Sequence, residues 1–494
     1  MIDNKGNQKV KADKLLIDYA KQNCKLFCNH QGESYAKVKV DSHTEIWKVH
    51  SKQFSDILRG WYYQKTRRGL NKNSLESAIS TISAIASYEG HREEVYLRVA
   101  QVDDSIFIDM CDKHWKVIQV TNGGWKVLNE SPIAFTRTSN MKPLPYPMGG
   151  NGAKSLAKHI NIDIKDLPLL IGWMLMALQN AEGAYPVLIV NGPAGSGKST
   201  ACRMIRAVID PNKADLISQP KISDLKVVGQ TNHILAFDNV SNVSPQFSDA
   251  ICKIATGDNQ SLRKLYTDNE EVTISMKKPL ILNGIPELAK RSDLGSRSLK
   301  LTLNKITSRK TEKESWESFE KDLPSIFRGL LEGLSRALAN LEHVQLDDMT
   351  RMADFCQWAT AASSAYEWDD NTFIKAYKEN VKKSYVDSIE SSAFASGVVD
   401  MINDGKQFHG RPLELLKILE DSYVPEKAVR SVNWVRTAKG VIEQLDRNEE
   451  PLEALEIFYE KYKDRTNKTF IKLGKLNDEF AEEKSEGGHL SYEF

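Results

Sequence analysis

Three short apolar runs, separated by stretches with helical periodicity, lie in the middle of the chain. The runs cover residues 187–190, 234–237 and 279–283. Uninterrupted apolar runs of this length are typical of strands that are buried on both faces of a parallel sheet. Because helices alternate with them, the pattern predicts an α/β core with a parallel sheet over residues 151–311.

The residues before this core mix the two periodicities and predict an α+β domain over 1–150. A Pro- and Gly-rich segment, 141–150, continues neither element and marks the end of that domain. An apolar stretch at 167–178 then predicts a buried helix at the start of the core. The helices expected in the first domain cover 11–23 and 75–88, and its strands cover 35–40, 44–49, 95–102, 105–110 and 115–120.

The residues after the core are almost wholly helical from 312 to 384. From 385 to 477 the pattern predicts three helices followed by two short strands, 455–458 and 469–472. The last residues, 478–494, are acidic and contain glycine, so we expect a flexible tail there.

Composition narrows the classes of function. The 494 residues suffice for roughly three to four domains. The net charge of +1 gives no chain-wide attraction for nucleic acid, so such contacts must come from local basic patches. The six cysteines are scattered, which favours a reducing cytoplasm. Cys24, Cys28 and His30 lack a second pair of ligands, so zinc is not expected.

The sequence also lacks the features of a secreted or membrane protein. The N-terminus does not have the layout of a signal peptide. The longest apolar stretch, 167–178, is too short to span a bilayer and is flanked by charged residues. We therefore expect a cytoplasmic protein with no membrane partner.

The first apolar run of the core leads directly into a glycine-rich loop, VLIVNGPAGSGKST over 187–200, which matches the complete G-x-x-x-x-G-K-[ST] pattern. The glycines allow backbone N–H groups to surround a phosphate. Lys198 can reach the outer phosphates, Ser199 offers a hydroxyl to Mg²⁺, and the helix that follows adds its positive end. We expect ATP and Mg²⁺ to bind through Gly192, Pro193, Ala194, Gly195, Ser196, Gly197, Lys198, Ser199 and Thr200.

The next two apolar runs end in polar side chains that could serve the same site. Asp238 and Asn239 follow one run, and Asn283 ends the other. Asp238 would hold Mg²⁺ together with Ser199, although a strand-end turn residue is the alternative. Motor ATPases commonly carry a glutamate beside this aspartate to activate water. Asn239 is a poor base, so the group that activates water stays open and hydrolysis could be slow.

Two further features lie around the third run. Alternating residues on both sides of a polar turn at 267–269 predict a β-hairpin over 261–278. Downstream, residues 291–303 predict a short helix and a strand with an arginine at their junction. Such an arginine can project across a subunit boundary as an arginine finger. Arg297 is the first choice and Arg291 the second, with a surface salt bridge as the alternative.

Taken in order, these motifs resemble those of the AAA+ ATPases of phages, plasmids and genomic islands. That group is related to superfamily 3 helicases and to the helicase part of poxvirus-type primase-helicases. The resemblance implies an AAA+ core over 151–311, a helical lid over 312–384 and a winged helix over 385–477. It rests on the P-loop and on the segments 237–241, 255–257, 263–266, 282–285, 291–299 and 351–355.

The resemblance also implies a homohexameric ring that moves along single-stranded or forked DNA, with nucleotide sites at the subunit interfaces. Asn283 would contact the γ-phosphate or the attacking water, and Arg351 would sense the γ-phosphate. A primase or an initiator is a candidate partner. The implied DNA contacts are Arg263, Lys264, Lys277 and Lys278 on the hairpin, and Arg436, Lys439, Lys463, Arg465 and Lys468 in the winged helix.

The sequence thus favours an ATP-driven DNA helicase or translocase that serves the replication of a mobile genetic element. Asn239 keeps a second function open, namely an ATP-switched origin-binding or helicase-loading protein with weak hydrolysis. A nucleic-acid-sensing ATPase of a defence system is the third. Asp103, Asp104 and Asp109 lie on or near a strand, but no further His or basic motif accompanies them, so primase activity is not expected.

Overall fold

The computed structural model describes residues 11–476, apart from 180–182, 241–242, 258–259, 264–270, 275, 285–291, 307–310, 347–350, 370 and 433. Within 260–263 and 271–274 the description covers the backbone alone. The chain is a mixed α/β protein with several sheets and many helices. None of the described helices combines the length and the apolar character needed to cross a membrane.

The first part of the chain holds a mixed sheet, an antiparallel sheet, a short strand pair and three helices. Side-chain caps begin two of the helices, since Ser51 accepts a hydrogen bond from the backbone N–H of Phe54 and Asn71 from that of Ser74. The elements are α1 (Ala12–Asn23), β1 (Cys24–Cys28), β2 (Ser34–Val40), β3 (His43–Lys48), α2 (Lys52–Thr66), α3 (Lys72–Tyr88), β4 (His91–Arg92), β5 (Val95–Tyr96), β6 (Val99–Val102), β7 (Ser105–Asp109), β8 (Val117–Thr121), β9 (Gly124–Leu128) and β10 (Ala134–Phe135).

These strands form a sheet in the order β3-β2-β1-β4, a second sheet in the order β6-β7-β8-β9, and the short pair β5-β10. In the first sheet β4 pairs with β1 in parallel, while the other neighbours are antiparallel. The single strand predicted over 95–102 is wrong. The run breaks into β5 and β6 at Arg98, whose side chain is fully buried.

The middle of the chain contains the predicted parallel sheet, in the order β12-β13-β16-β11-β17. Both β11 and β16 are buried along their whole length, as their uninterrupted apolar runs indicate. The elements are α4 (Leu156–His159), α5 (Leu167–Ala177), β11 (Val187–Asn191), α6 (Lys198–Ile209), β12 (Ile217–Ser218), α7 (Leu225–Thr231), β13 (Leu235–Val240), α8 (Pro245–Thr256), β14 (Gln260–Arg263), β15 (Glu271–Ile274), β16 (Leu280–Gly284), α9 (Ser292–Ser296) and β17 (Ser298–Thr302).

The remaining elements are helical except for one small antiparallel sheet in the order β18-β20-β19. That sheet and its helices have their own apolar core, which includes Phe394, Leu415 and Ile471. The elements are α10 (Glu312–Asn340), α11 (Ala353–Ala361), α12 (Thr372–Glu390), α13 (Ala393–Asn403), β18 (Phe408–Gly410), α14 (Pro412–Ser422), α15 (Glu426–Val429), α16 (Ala438–Arg447), α17 (Glu449–Ala454), β19 (Ile457–Lys463) and β20 (Thr469–Lys475).

Helices of the later part hold the sheets of the earlier parts in place. The side-chain amide of Asn380 on α12 makes two hydrogen bonds with the backbone of Lys300, which covers the edge strand β17. On α10, Ser335 donates a hydrogen bond to the carbonyl of Thr121, and Glu332 accepts one from Trp125. Helix α10 is therefore attached to the second N-terminal sheet.

A buried ionic cluster centred on Asp210 joins the N-terminal part to the parallel sheet. Its carboxylate accepts hydrogen bonds from Arg98 Nε at 3.2 Å and from Arg206 Nη2 at 3.4 Å. It also accepts the backbone N–H of Ile234 at 3.2 Å, immediately before β13. Burial alone would raise the pKa of Asp210, but the charges of Arg98 and Arg206, together with His233, outweigh burial and lower it.

We predict that Asp210→Asn lowers the free energy of unfolding by about 3 to 5 kcal/mol, because it leaves two buried guanidinium groups without a counter-charge. Urea denaturation followed by circular dichroism measures the loss. The control is Asp56→Asn, which removes an exposed carboxylate 3.2 Å from Arg59 and should cost less than about 1 kcal/mol. Equal losses in the two variants would contradict a central role of the cluster.

His233 gives this region a dependence on pH. Its Nε2 donates to the carbonyl of Ala177 at 2.7 Å, and burial lowers the pKa of the ring to about 4. The unfolded chain, with a pKa near 6.5, therefore takes up a proton before the folded chain does. Stability is lost as the pH falls from 6.5 towards 4.

We predict that the unfolding free energy of the wild type, relative to that of His233→Gln, falls by about 2 kcal/mol between about pH 7 and about pH 4.5. Glutamine can keep the hydrogen bond to Ala177 but does not titrate. Urea denaturation at a series of pH values measures the difference. A constant difference across this range would show that His233 is not the titrating group.

Candidate nucleotide site and basic surfaces

The loop between β11 and α6 can be built only with glycine at its key positions. Gly192, Gly195 and Gly197 have φ angles of +148°, +73° and +85°, a region that other residues rarely adopt. A Cβ on Gly192 would lie 2.8 Å from the carbonyl oxygen of Leu303 and 2.8 Å from Ser196 Oγ. The loop backbone therefore curls in the way that a phosphate cradle requires.

Lys198 lies at the first position of α6 and turns back over the loop. Its Nζ donates to the carbonyl of Gly192 at 2.8 Å and to that of Pro193 at 3.0 Å. The ammonium group is thus held at the loop by two backbone carbonyl oxygens, which carry only partial negative charge. A phosphate oxygen, which carries a full negative charge, would be a stronger partner for it.

Ser199, Asp238 and Asn283 meet at the carboxyl edge of the sheet. Ser199 Oγ donates to Asp238 Oδ1 at 2.9 Å, and Asn283 Nδ2 donates to the same oxygen at 2.6 Å. Asn283 Nδ2 also lies 3.3 Å from Ser199 Oγ. These three residues come from α6, β13 and β16, so adjacent strands and the loop helix bring the predicted groups together.

Asn283 is buried and organises its neighbours. Its Oδ1 accepts the backbone N–H of Asn239 at 3.3 Å while its Nδ2 holds Asp238. Both ends of the amide are therefore used within the protein. Here the side chain positions Asp238, whereas the resemblance implied a contact with the γ-phosphate or with water.

Asn239 has a special backbone rather than a special side-chain contact. Its φ is +53°, and the pairing of β13 with β16 shifts register between Phe237 and Val240. Asparagine adopts this left-handed conformation more readily than glutamate does. The side chain is exposed beyond the sheet edge, so the local backbone gives a reason for asparagine at this position.

A buried hydroxyl supports the fit of a nucleotide to this loop. Among the described residues, Ser196 Oγ is buried and has no hydrogen-bond partner. Asn191 Oδ1 is also buried without a partner, but an amide oxygen accepts hydrogen bonds and cannot donate one to a phosphate. A buried hydroxyl in the loop is a donor for a phosphate oxygen. Asp238 and Ser199 supply the oxygen ligands that Mg²⁺ prefers. The residues present therefore fit ATP with Mg²⁺.

Sequence reasoning missed Asn191 and Cys202. Asn191 ends a buried strand directly before the loop, which is a recognisable signal. Cys202 lies one helical turn after Lys198, and burial raises the pKa of its thiol to about 12, with a hydrogen bond to Asn283 opposing the rise. The thiol stays protonated and acts as a small apolar group under the site.

The predicted arginine finger, Arg297, lies at the amino-terminal end of the parallel strands, whereas the loop follows their carboxyl-terminal end. The carbonyl of Arg297 accepts the backbone N–H of Val187 at 2.9 Å, at the beginning of β11. Gly192 follows five residues later, which corresponds to about 16 Å along the strand. Arg291 lies outside the described residues.

Arg351 is placed against the C-terminal part of the chain. Its guanidinium lies 3.3 Å from the carboxylate of Glu450 on α17, and Tyr385 on α12 donates to the same carboxylate at 3.2 Å. The ion pair of Arg351 therefore attaches the segment before α11 to α17, and Tyr385 attaches α12 to the same carboxylate.

The predicted hairpin is present as β14 and β15, which pair from Gln260 with Ile274 to Arg263 with Glu271. Lys264 and the side chain of Arg263 lie outside the described residues. The second strand is shorter than predicted, so Lys277 and Lys278 follow it at the hairpin base. Lys278 N–H donates to the carbonyl of Ile254, and burial lowers the pKa of its ammonium to about 8, opposed by Asp210. Lys278 therefore faces the interior.

The basic residues expected in the C-terminal part are all exposed. Three of them, Lys439, Lys463 and Lys468, line one groove between α14, α16 and the strands β19 and β20. Arg436 precedes α16, and Arg465 lies in the turn between the two strands. The helix predicted to open at 433 begins at Ala438 with Thr437 as its cap. Arg411 and Lys461, which also line the groove, were missed.

Asp109, one of the three aspartates weighed above for primase activity, is buried in an ion pair. Its carboxylate receives Arg137 Nη2 at 2.6 Å and Arg137 Nε at 2.9 Å. Both oxygens are therefore engaged by one guanidinium group. No group of three or more potential metal-binding residues of the His, Cys, Asp or Glu type occurs among the residues that the structure describes.

Two family models match parts of the chain. Residues 155–382 match the family model of the actinomycete integrative conjugative element replication protein, and residues 394–485 match the C-terminal domain model of the same replication protein. These matches indicate a replication-associated protein of a mobile element. Both models describe parts of one replication protein of actinomycete integrative conjugative elements, so these two segments are similar to that protein. No curated protein matches the chain.

Solved structures give a weaker likeness. The A-form apo structure of the NrS-1 C terminal region is 11% identical, covers 94% of this chain and 99% of its own, and superposes with a TM-score of 0.37. A second A-form apo structure of that region is also 11% identical, covers 94% and 98%, and has a TM-score of 0.35. Scores of this size do not define a common fold.

We predict that Gly192→Ala loses nucleotide binding and about 1 to 3 kcal/mol of stability, because the new Cβ meets Leu303 and Ser196 and the φ angle is strained. Fluorescent nucleotide titration and urea denaturation measure the two effects. Gly150→Ala is the control, since nothing lies within 4 Å of a Cβ there. Unchanged nucleotide affinity in Gly192→Ala would contradict the assignment of the loop.

Proposed function

We propose that this protein is an ATP-dependent DNA helicase or translocase that serves the replication of a mobile element. The observation that carries the proposal is the meeting of Lys198, Ser199, Asp238 and Asn283 at the carboxyl edge of a five-stranded parallel sheet. The similarity to a replication protein family supplies the biological context. In this proposal the sheet is an AAA+ core, α10 to α12 form its lid, and the C-terminal part is a winged helix.

In the proposed site the chain's own residues bind and orient the nucleotide. Bound ATP with Mg²⁺ supplies the phosphoryl group whose transfer to water releases free energy. The loop amides and Ser196 donate to phosphate oxygens, and Lys198 exchanges its two carbonyl acceptors for a phosphate. Asp238 and Ser199 hold the ion, while Asn283 keeps the Asp238 carboxylate in position.

Arg297 is proposed to act on the nucleotide of a neighbouring subunit. A side chain about 7 Å long cannot span about 16 Å of strand to reach the loop of its own chain. Arg297 therefore lies at the end of the strands away from its own loop. In a ring, the neighbouring subunit could place its glycine-rich loop against this end. Its role there would be to stabilise charge that develops during phosphoryl transfer.

DNA is proposed to contact the hairpin and the C-terminal basic residues. Lys277 and Lys278 lie at the hairpin base, so contacts by the hairpin are proposed for Arg263 and Lys264, which are closer in sequence to its turn. Lys439, Lys463 and Lys468 face one groove and could follow a phosphate backbone. Contacts of this kind weaken as salt rises and carry little sequence information.

A second function is favoured by Asn239. Its exposed amide, at the position where a motor ATPase would carry a carboxylate, cannot take a proton from water. A protein that binds ATP in order to assemble on DNA, and hydrolyses it slowly, would tolerate asparagine there. An origin-binding or helicase-loading protein is therefore the alternative proposal.

Strand displacement on forked DNA tests the first proposal. The wild type should separate the strands with ATP, and its ATPase rate should rise with DNA. Lys198→Ala should lose about 100-fold or more in ATPase rate and all unwinding while it still binds DNA. The exposed Lys221→Ala serves as the control and should behave as the wild type.

Subunit mixing tests the role of Arg297. Arg297→Ala and Lys198→Ala should each be inactive, and a mixture should regain part of the ATPase rate because it contains interfaces with both groups intact. ATP-dependent assembly on DNA without strand displacement would favour the loading function instead. Normal unwinding by Lys198→Ala would overturn the assignment of the loop as the motor site.

A further inference from the structure

The groove on the C-terminal sheet has an apolar floor and a basic rim. It lies between the start of α14, helix α16 and the facing ends of β19 and β20, and its volume is about 870 Å³. Leu413 on its floor is 52% exposed, and Ile442 and the ring of Tyr462 continue the apolar surface. The rim consists of Arg411, Lys439, Lys461, Lys463 and Lys468.

The rim keeps a net positive charge. Lys461 is paired with Asp446 at 2.6 Å, and Lys439 lies 3.8 Å from Glu443. Within the part of the chain that the structure describes, Lys463 makes no ion pair. No acidic side chain lines the groove itself. The groove therefore attracts an acidic ligand.

The apolar floor selects the kind of acidic ligand. A phosphate backbone would satisfy the lysines but would leave Leu413 and Ile442 without apolar contacts. An exposed apolar patch surrounded by charge is typical of a site for a peptide. The best match is a segment that carries both carboxylates and large apolar side chains.

The chain contains such a segment in residues 477–494. These 18 residues carry six acidic side chains and one lysine. The large apolar side chains among them are those of Phe480, Leu490, Tyr492 and Phe494. Charge and apolar character therefore both complement the groove.

The segment also begins close enough to reach the groove. Strand β20 starts at Thr469 in the groove wall and ends at Lys475, about 20 Å away along the strand. Eighteen extended residues span up to about 60 Å. The segment can therefore fold back along the sheet and still lay several residues in the groove.

We propose that the acidic residues 477–494 occupy the groove between α14, α16 and the β19–β20 strands. The tethered segment has an effective concentration in the millimolar range, so even a weak contact is populated. Because the contact is largely electrostatic, salt weakens it. If the groove also binds DNA, which rests on the proposed function, the segment competes with DNA there.

Hydrogen exchange on the full-length protein without DNA tests the docking. In a variant with D478N, E479Q, E482Q and E483Q, the amides of α16 and β19 should exchange faster by about threefold or more. Lys463→Glu should have the same effect, and Lys427→Glu, an exposed lysine outside the groove, should have none. The amides of α13 serve as the internal reference for an intact C-terminal fold.

The protein with the four substitutions D478N, E479Q, E482Q and E483Q is called the tail variant. Equal exchange rates of the α16 and β19 amides in the wild type and the tail variant would overturn the proposal. If the exchange rates differ at low salt but become equal in about 1 M salt, the contact is electrostatic, as proposed. The four tail substitutions should have no further effect in a protein that already carries Lys463→Glu. If they still speed the exchange of the α16 and β19 amides there, the segment lies elsewhere, and the proposal is overturned.

Affinity for single-stranded DNA at low salt separates this proposal from the proposed function. If both hold, the tail variant binds an oligonucleotide about threefold to tenfold more tightly than the wild type. If the tail variant exchanges faster than the wild type but binds DNA with the same affinity, the docking proposal holds and the groove is not part of the DNA-binding surface. Tighter DNA binding with unchanged exchange would overturn the docking while leaving the DNA contacts in place.

Discussion

The arrangement of the proposed nucleotide site depends on the buried ionic contacts of the Asp210 carboxylate. Asp210 follows the loop helix α6, receives Arg98 from the N-terminal part, and holds the backbone just before β13. A single buried anion thus relates the helix that carries Lys198 to the strand that carries Asp238. Because two guanidinium groups and an amide share it, displacement of any one element would leave a charge unpaired in the interior.

The same cluster explains why the N-terminal part cannot be treated as a detached module. Arg98 also donates to the carbonyls of Asp109, Lys142 and Pro211, so it is fixed from both sides. Helix α10 adds a second attachment through Ser335 and Glu332. Any movement of α6 or α10 relative to the parallel sheet would therefore also displace the N-terminal sheets.

Several features of the fold and of the site could be predicted from the sequence because they depend on local rules. Uninterrupted apolar runs indicated the buried parallel strands, and the glycine pattern indicated the loop with Lys198 and Ser199. Strand ends indicated Asp238 and Asn283, because parallel strands present their carboxyl ends at one edge. Each of these signals lies within a few residues of the feature that it predicts.

The features that were missed depend on contacts distant in sequence. Arg98 breaks a predicted strand because Asp210, 112 residues away, draws its guanidinium into the interior. Lys278 resembles an exposed hairpin lysine until Asp210 and its burial are seen. Arg351 lies in the turn before α11, and its partner Glu450 lies 99 residues away in the sequence. A local sequence pattern does not show which residues distant in sequence will form such contacts.

The burial of Asn283 has a consequence for the chemical ageing of the protein. Asn283 is followed by Gly284, and in flexible chains an Asn-Gly pair is the one most prone to deamidation, since the glycine nitrogen can attack the amide. In the folded chain the strand backbone and the contacts with Asp238 and Asn239 hold that amide away from attack. Unfolding removes this protection, and the carboxylate that forms would face Asp238 with the same charge on refolding. A molecule that has been unfolded for long would therefore return with a damaged site, and its loss of function would be permanent.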